Sequence, residues 1–255
     1  MPSLTLTILG GGGWLPAHGR HTATALLRHD DAAIVIDAGT GISRLLECPE
    51  LIAGLARLDI VLTHFHLDHV AGLAYLPALG LCEQTTIWGP GRLLYEATTA
   101  RLLDTMSHEP FHPVPLERQH IQVRDVPAGE LELAGVRVHT RIQRRHSAPT
   151  LALRFDDRLT WITDTAHDPD SARFAAGCRL VAHEAWFTAA EPRNPDIHSS
   201  AADAARVAAD AGIDRLLLIH LPPFTASVDA VVREAQAAVP GALPAGDGLA
   251  LSDLD

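Results

Sequence analysis

The chain has 255 residues, of which 47% are hydrophobic and 20% charged, so it can bury a sizeable core and is not a disordered or fibrous chain. Its formal charge of −11 disfavours long RNA or DNA as a partner, because an acidic surface repels phosphate polyanions. The chain contains no lysine, which excludes Schiff-base chemistry and a P-loop nucleotide site.

We expect neither a targeting signal nor a membrane span in this sequence. Its first residues, MPSLTLTILGGGGW, lack the basic segment and apolar run of a secretory signal peptide. No stretch of about 18 apolar residues predicts a membrane span. We therefore expect a cytoplasmic protein. Because no linker or low-complexity segment divides the sequence, we also expect a single domain over residues 1–255.

Apolar patterns in the first half predict strands with short helices between them. The strands are expected over residues 4–9, 22–28, 33–37, 59–63 and 86–88. The helices are expected over residues 42–47, 50–56, 68–79 and 91–103, and the proline-rich residues 105–119 are expected to form a loop.

The second half repeats this theme. Strands are expected over residues 120–126, 131–133, 136–142, 150–155, 158–163, 179–183, 214–219 and 248–251. Helices are expected over residues 169–176, 200–211 and 226–238. Ser200 with Asp203 is typical of a capped helix start. Gly212 is typical of a residue that ends a helix by adopting the left-handed backbone conformation. Strands followed by mixed strands and helices in each half favour two packed sheets with helices outside them.

A dense group of metal-binding residue types follows the predicted strand 59–63. His64, His66, Asp68 and His69 place four potential ligands within six residues. Imidazole and carboxylate are common zinc ligands. These residues share neither one helix face nor one strand face, so we expect a loop that bends around a metal ion. The alternative is a chance cluster in a chain with 15 histidines.

The motif H-x-H-x-D-H after an apolar strand resembles the signature of the metallo-β-lactamase superfamily. Three later residues match the remaining ligand positions in order, namely His146 in RRHSAPTLALRF, Asp164 in WITDTAHD and His220 in LLLIHLPP. The resemblance extends from Gly10 to His220. It implies a four-layer αββα sandwich with metal ions at one edge.

The resemblance also implies how two metal ions are bound. One ion is expected on His64, His66 and His146, and the other on Asp68, His69 and His220, with Asp164 bridging them. We expect two zinc ions, with manganese or iron as alternatives. Two metal ions about 3.5–4 Å apart can share a hydroxide that acts as a nucleophile at neutral pH, and they polarise the substrate.

Further segments resemble the ribonuclease Z and phosphodiesterase branch of this superfamily. These are LGGGGWLPAHGRHTATALLR, DAGTGI, HEAWF at residues 183–187 and HSSA at residues 198–201. Ribonuclease Z enzymes carry a long tRNA-binding arm between the third-strand histidine and the bridging aspartate. Here Asp164 follows His146 by 18 positions, enough for two strands and a turn. A small or cyclic phosphodiester, such as a cyclic nucleotide or cyclic sugar phosphate, is therefore the expected substrate class.

The expected catalytic residues are Asp68, His198 and Glu184. A histidine outside the metal ligands can protonate a leaving alkoxide, and His198 is placed for that role, with Glu184 to orient it. As alternatives, His198 caps exposed amides at a helix start, and Glu184 is a buried hydrogen-bonding residue with no proton role.

Other polar residues carry weaker expectations. Arg137, Arg141, Arg144 and Arg145 precede His146, and solvent exposure is favoured over phosphate contact for them. Trp14, His18 and His21 are candidates for the mouth of the site, and His108, Glu109 and His112 in the loop 105–119 are candidates for a lid, but the sequence does not favour either role.

The sequence thus predicts a dinuclear metal-dependent hydrolase that cleaves a small or cyclic phosphodiester by metal-hydroxide attack. The alternatives are a ribonuclease Z-like RNA endonuclease, a lactonase or arylsulfatase on the same scaffold, and an iron redox enzyme. A non-catalytic binding module is disfavoured because all seven ligand positions are filled. The resemblance further implies a homodimer.

Overall fold

The computed structural model describes residues 4–252 and residue 254, without the side chains of residues 117–118 and 225–227. Within this part of the chain there are fourteen strands, numbered in chain order. β1 to β6 are Leu4–Gly10, Thr24–His29, Ala32–Ile36, Arg57–Val61, Gln84–Gly89 and Gln122–Asp125. β7 to β14 are Glu130–Leu133, Val136–Gln143, Thr150–Phe155, Leu159–Ile162, Leu180–Glu184, Leu216–Ile219, Leu243–Pro244 and Ala250–Leu251.

Most helices are short. α1 to α7 are Arg44–Glu47, Leu67–Val70, Gly91–Leu94, Thr99–Asp104, Asp170–Ala175, Ala201–Asp210 and Thr225–Ala238. Segments of 3-10 helix occupy Thr40–Ser43, Pro49–Leu51, Ala71–Ala78 and Leu116–Gln119. None of the helices in the described residues combines the length and the apolar character that crossing a bilayer requires.

The strands form two seven-stranded mixed sheets. The first sheet has the order β14-β1-β2-β3-β4-β5-β6, and β3 to β6 run parallel to one another. The second has the order β13-β12-β11-β10-β9-β8-β7, and β10 to β13 are parallel. In each sheet, therefore, the parallel strands end at a common edge.

The main core lies between the two sheets. It joins Leu6 and Ile36 of the first sheet to Leu153, Trp161 and Leu217 of the second, all at most 2% exposed. Removal of such apolar side chains from water is the main contribution that holds the sheets together. A buried hydrogen bond between Asp59 and the Ala134 amide also joins the two sheets.

Helices cover the outer face of each sheet. Ala204 and Ala208 of α6 and Val231 of α7 pack with Val181 and Leu218 of the second sheet. On the first sheet, a second apolar cluster joins the helical segments to the strands, with the following buried members among others: Ile42, Leu45, Leu73, Leu76, Val35 and Ile60. The predicted four-layer αββα sandwich is confirmed.

Asp59 of β4 ties the two sheets together through hydrogen bonds. Its side chain is buried, and Oδ2 accepts from the amide of Ala134 in the β7–β8 turn at 2.7 Å. The same oxygen lies 2.8 Å from Nε of Arg57, while Oδ1 accepts from Nε1 of Trp88 at 2.9 Å. Both oxygens of this carboxylate therefore have donors, which offsets the cost of burying it.

Several predicted helices differ in the structure. The helix expected over residues 68–79 is one α-turn, α2, followed by a 3-10 segment that contains Pro77. The helix expected over residues 91–103 divides into α3 and α4, because Tyr95 is extended. The helix expected over residues 50–56 is only the 3-10 turn Pro49–Leu51, and β13 was not predicted at all. Proline lacks the amide donor that an α-helix requires, which accounts for the first difference.

The start of α6 agrees with the prediction. Ser200 Oγ accepts from the Asp203 amide, and the Asp203 carboxylate accepts from the Ser200 amide, so the capping box is complete. Gly212 follows the helix with a φ of +71°. The prediction of a single domain over residues 1–255 stays a prediction.

Candidate metal centre

Five polar residues lie at the carboxyl ends of parallel strands. Asp37 and His64 follow β3 and β4 of the first sheet, whereas Asp164, Glu184 and His220 follow or end β10, β11 and β12 of the second. Because these strand ends meet at one edge of the sandwich, residues far apart in the sequence converge there. Side chains on rigid strand ends can hold a ligand geometry without much loss of entropy.

Three of these residues have a left-handed backbone. The φ angles are 56° at Asp37, 51° at Asp164 and 48° at His220. Residues other than glycine adopt this region rarely, and each instance has an energetic cost. Strain of this kind accumulates at functional sites, and here it lets the chain turn sharply where each strand ends.

The first group of possible metal ligands contains His64, His66, His146 and Asp164, whose donor atoms all lie within 4.8 Å of one another. His146 Nε2 is 3.2 Å from His66 Nδ1 and 3.5 Å from Asp164 Oδ1. The other ring nitrogen of His146 donates to the carbonyl of Ile197 at 2.8 Å. Since a carbonyl can only accept, Nε2 is left with its lone pair facing the cluster.

The second group contains Asp68, His69 and His220, again with donor atoms within 4.8 Å. His69 Nε2 is 3.1 Å from Asp164 Oδ2, and His220 Nε2 is 3.5 Å from Asp164 Oδ1. Asp164 therefore contacts members of both groups. The structure brings all seven predicted ligands together in the predicted grouping, although their role as ligands stays a prediction.

A cation fits this donor set. His64 is completely buried, and its Nε2 atom has no hydrogen-bond partner among the described residues. Its Nδ1 atom lies 3.1 Å from Thr63 Oγ1. Burial lowers the pKa of His64 well below the ordinary value, so that the ring is neutral and offers a lone pair. An unpaired buried nitrogen costs about 1–3 kcal/mol, which a bound metal ion would offset.

The carboxylates and the remaining imidazoles interact strongly. Burial alone would raise the pKa of Asp164, but His220 and His69 hold it well below its usual range. Burial alone would lower the pKa of His220, yet Asp164 and a hydrogen bond to Asp68 raise it to about 8.

Asp37 is a site residue to which the sequence analysis gave no role. Its Oδ2 atom is 2.8 Å from His69 Nδ1, and its Oδ1 atom accepts from the Thr63 amide at 2.7 Å. Thr63 Oγ1 also donates to the carboxylate, at 2.9 Å from Oδ2. The available signal was an aspartate directly after a buried strand, within the segment DAGTGI.

His198 and Glu184 form a pair beside the metal-ligand cluster. His198 Nδ1 is 2.8 Å from Glu184 Oε2, while the other oxygen of Glu184 accepts from the Thr165 amide. The His198 ring stacks on Trp186 with centroids 5.1 Å apart. One of its ring nitrogens lies within 4.8 Å of donor atoms of Asp164 and His220.

The start of α6 does not need His198. Ser200 caps that helix through its own side chain, and the His198 ring contacts Glu184 instead. The helix-capping alternative for His198 is therefore not supported. The proton-transfer role of His198 and the orienting role of Glu184 stay predictions.

A cleft of about 660 Å³ opens over the cluster. Its lining includes Trp14, Trp186, Arg193, Asn194 and Phe224. It also includes five of the candidate ligands and the neighbouring His198; the five are His66, Asp68, His146, Asp164 and His220. Of the candidates for the mouth, Trp14 lines the cleft, whereas His18 and His21 do not, nor does any described residue of the loop 105–119.

The arginines that precede His146 lie elsewhere. Arg137 and Arg141 line a separate groove of about 740 Å³. There the Arg141 guanidinium pairs with Asp168 and donates to Ser171 Oγ at 2.8 Å. Arg144 and Arg145 are exposed to solvent. None of the four lines the cleft over the cluster.

Comparison with known proteins identifies relatives along most of the chain. A family model described as a β-lactamase superfamily domain matches residues 32–221. A ribonuclease Z of Methanopyrus kandleri is 26% identical, with 96% of each chain aligned. The metallo-β-lactamase fold protein YhfI of Bacillus subtilis superposes with a TM-score of 0.78 at 21% identity, over 98% of this chain and 99% of that one. A diphosphatase of the PhnP family superposes with a TM-score of 0.73 at 19% identity, over 97% of both chains.

Proposed function

The chain belongs to the β-lactamase superfamily and is a metal-dependent hydrolase, and from this premise we propose that it is a dinuclear zinc phosphodiesterase for a small or cyclic phosphodiester. The predicted family, fold and hydrolase class are confirmed. One observation carries the finer proposal: seven histidine and aspartate side chains form two adjoining groups that share Asp164.

Each group would hold one metal ion. His64, His66 and His146 would bind the first, Asp68, His69 and His220 the second, and Asp164 both. When bound, two divalent ions supply Lewis acidity toward the phosphoryl oxygens and a nucleophile at neutral pH. Imidazole and carboxylate ligands without thiolate suit zinc, although manganese and iron also accept such ligands.

His198 would supply the proton to the leaving oxygen. Glu184 accepts a hydrogen bond from Nδ1 of His198, so that the proton to be transferred sits on Nε2 of the same ring. Stacking on Trp186 restricts the ring further. In this arrangement Glu184 would hold the ring of the general acid in position.

The short connection between His146 and Asp164 supports a small substrate. β9, β10 and the turn between them account for most of it, and no long arm is inserted there. The names ribonuclease Z and diphosphatase among the relatives favour phosphate chemistry over lactone or sulfate ester hydrolysis. A ribonuclease Z-like activity on RNA is the second candidate, and the relatives' names favour it.

The decisive experiment measures metal content beside hydrolysis of bis-p-nitrophenyl phosphate, with and without a chelator. We expect about two zinc or manganese ions per chain and activity that the chelator abolishes. His146→Ala should lose metal and activity. His139→Ala is the matched control, because His139 lies on β8, is 41% exposed at its side chain and does not belong to the cluster.

Other outcomes redirect or contradict the proposal. Two metal ions without diesterase activity would require tests on lactones, thioesters and sulfate esters, and would contradict a phosphodiesterase. Cleavage of precursor tRNA in preference to small diesters would support the second candidate. A single iron ion would favour redox chemistry, and failure to bind metal under loading conditions would contradict the whole site.

A further inference from the structure

Two solvent-exposed aromatic side chains line the cleft over the metal-ligand cluster. Trp14 is 63% exposed and Phe224 is 50% exposed. A single exposed aromatic residue on a protein surface is ordinary. Two of them in one cleft that is lined at its base by histidines and aspartates are unusual, because each keeps a large apolar face in water beside a site for charged ligands.

The backbone of Trp14 has a structural role that does not explain its side chain. Its amide donates to Oδ2 of the metal-ligand candidate Asp68 at 2.7 Å, and its φ is +64°. Glycine would supply the same amide and adopt this left-handed conformation without strain, and four glycines precede this position. A bulky residue is strained there. The indole ring is therefore the reason for tryptophan at this point, and it lies in the cleft.

The guanidinium of Arg193 lies beside the ring of Phe224. The Cζ atom of Arg193 lies 5.8 Å from the ring centroid. Arg193 is exposed, and among the described residues it has no hydrogen bond or ion pair with a protein group. A planar cation on an aromatic face is a second stacking surface, which can also donate hydrogen bonds at its edge.

Together these three side chains offer flat, apolar and cationic surfaces at the mouth of a cleft whose floor would bind phosphate. Nucleobases are the chemical group that stacks on aromatic rings and arginine planes in this way. The cleft volume of about 660 Å³ is within the usual range for ligands of this size. A sugar phosphate without a base would leave both rings in water.

We propose that Trp14, Phe224 and Arg193 form a base-binding subsite, so that the substrate is a nucleotide phosphodiester and not a cyclic sugar phosphate. The proposal rests on the phosphodiesterase function above, because that function places the phosphate on the cluster. Its own content is that the base contributes to binding through these three side chains.

The test is calorimetric titration of zinc-loaded protein with adenosine 5′-monophosphate and with ribose 5-phosphate, which differ at C1 of the ribose, where the first carries adenine and the second a hydroxyl group. We expect the wild type to bind the nucleotide about tenfold more tightly. Trp14→Ala and Phe224→Ala should each remove most of this difference and leave ribose 5-phosphate binding unchanged. Arg193→Ala should reduce it by a smaller factor.

Two control variants separate the ring from other effects. Trp14→Phe keeps an aromatic face and should bind the nucleotide nearly as the wild type does. Phe111→Ala removes an aromatic side chain that is 78% exposed but does not line the cleft, and it should have no effect. Zinc content measured on every variant shows whether the metal site is still loaded.

The two proposals can fail separately. Equal affinity for the two ligands in the wild type, no measurable nucleotide binding, or nucleotide affinity unchanged in both alanine variants would overturn the base-binding subsite. Nucleotide binding that depends on Trp14 and Phe224, in a protein that hydrolyses no phosphodiester, would leave the subsite standing and overturn the proposed phosphodiesterase.

Discussion

His69 Nδ1 lies 2.8 Å from Oδ2 of Asp37, and both side chains are completely buried. A carboxylate can only accept, so this contact places the ring proton on Nδ1 and leaves Nε2 free to face Asp164. A hydrogen bond of this type behind a metal-ligating histidine fixes the tautomer and the orientation of the ring and makes the imidazole a better ligand. Asp37 thus acts on the proposed second metal ion through His69.

We predict that Asp37→Asn lowers zinc affinity at the second site by about 10–100-fold. The substitution preserves volume, but an amide cannot accept hydrogen bonds on both sides of the group. If its oxygen accepts from the Thr63 amide, its NH₂ group faces His69 Nδ1 and selects the wrong tautomer. Competition with a chelator of known affinity measures the loss.

The matched control for this prediction is Asp59→Asn, at a buried aspartate on the next strand that contacts no member of the cluster. Its zinc affinity should equal that of the wild type. Wild-type zinc affinity in Asp37→Asn would show that the Asp37–His69 contact does not tune the metal site.

The seven proposed ligands could be found from the sequence because most of them lie close together in it or directly follow a recognisable strand. Four of them lie within six residues, and Asp164 and His220 follow apolar strands whose pattern is readable. Parallel strands bring their carboxyl ends to one edge, so a ligand type after a strand already indicates its place. Resemblance to a known family then supplied the grouping of the ligands.

What the sequence did not predict depends on contacts between distant segments. The contact between Asp37 and His69 forms across two elements, and Phe224 and Arg193 meet only in the folded cleft. In the segment 68–79, where Pro77 prevents the expected continuous helix, close packing adds a second constraint. A Cβ at Gly72 would lie 2.1 Å from the Gly39 carbonyl oxygen, a constraint that no pattern of apolar residues reveals.

We predict that Gly13→Ala removes metal from the second site. A Cβ at this position would lie 2.3 Å from Cε1 and 2.5 Å from both nitrogens of His220. The ring must shift to avoid this contact, and because the rings of Trp186 and His198 pack against it, the shift disturbs the direction in which it faces the cluster. Zinc content should fall from about two ions to about one, and hydrolysis should fall about 100-fold.

Gly246→Ala is the control, because a Cβ there would meet no heavy atom within 4 Å and the residue does not have a positive φ. Metal analysis and thermal unfolding should be run on both variants. If Gly13→Ala retained full metal content and activity, the close approach of residue 13 to His220 would have no functional consequence.

We predict that the effect of His198→Ala depends on the leaving group. An alkoxide needs a proton as it leaves, so kcat for an alkyl diester should fall about 10²–10⁴-fold. Nitrophenolate leaves without a proton, so hydrolysis of bis-p-nitrophenyl phosphate should change little. Glu184→Gln should show the same dependence on the leaving group with a smaller loss of rate, because Glu184 holds the His198 ring through a 2.8 Å contact and does not itself donate the proton.

Metal content shows whether His198 is a general acid or a metal ligand. The second role is a real alternative because one of its nitrogens is near enough to Asp164 and His220 to share a metal ion with them. A proton donor leaves zinc content unchanged when it is removed. Loss of zinc in His198→Ala, or equal loss of rate for both leaving groups, would contradict the general-acid role. His139→Ala again serves as the exposed-histidine control.

We predict that Asp59→Asn destabilises the fold by about 2 kcal/mol and leaves the metal centre intact. The Asp59 carboxylate accepts from Ala134 and Trp88 and pairs with Arg57, so it joins the two sheets. Asparagine keeps the volume but offers one acceptor oxygen, and its NH₂ group must then face a donor in a buried place. Urea unfolding at fixed zinc concentration measures the change. Asp30→Asn, at an exposed turn, should be neutral, and equal stability of Asp59→Asn and the wild type would show that packing alone holds the sheets together.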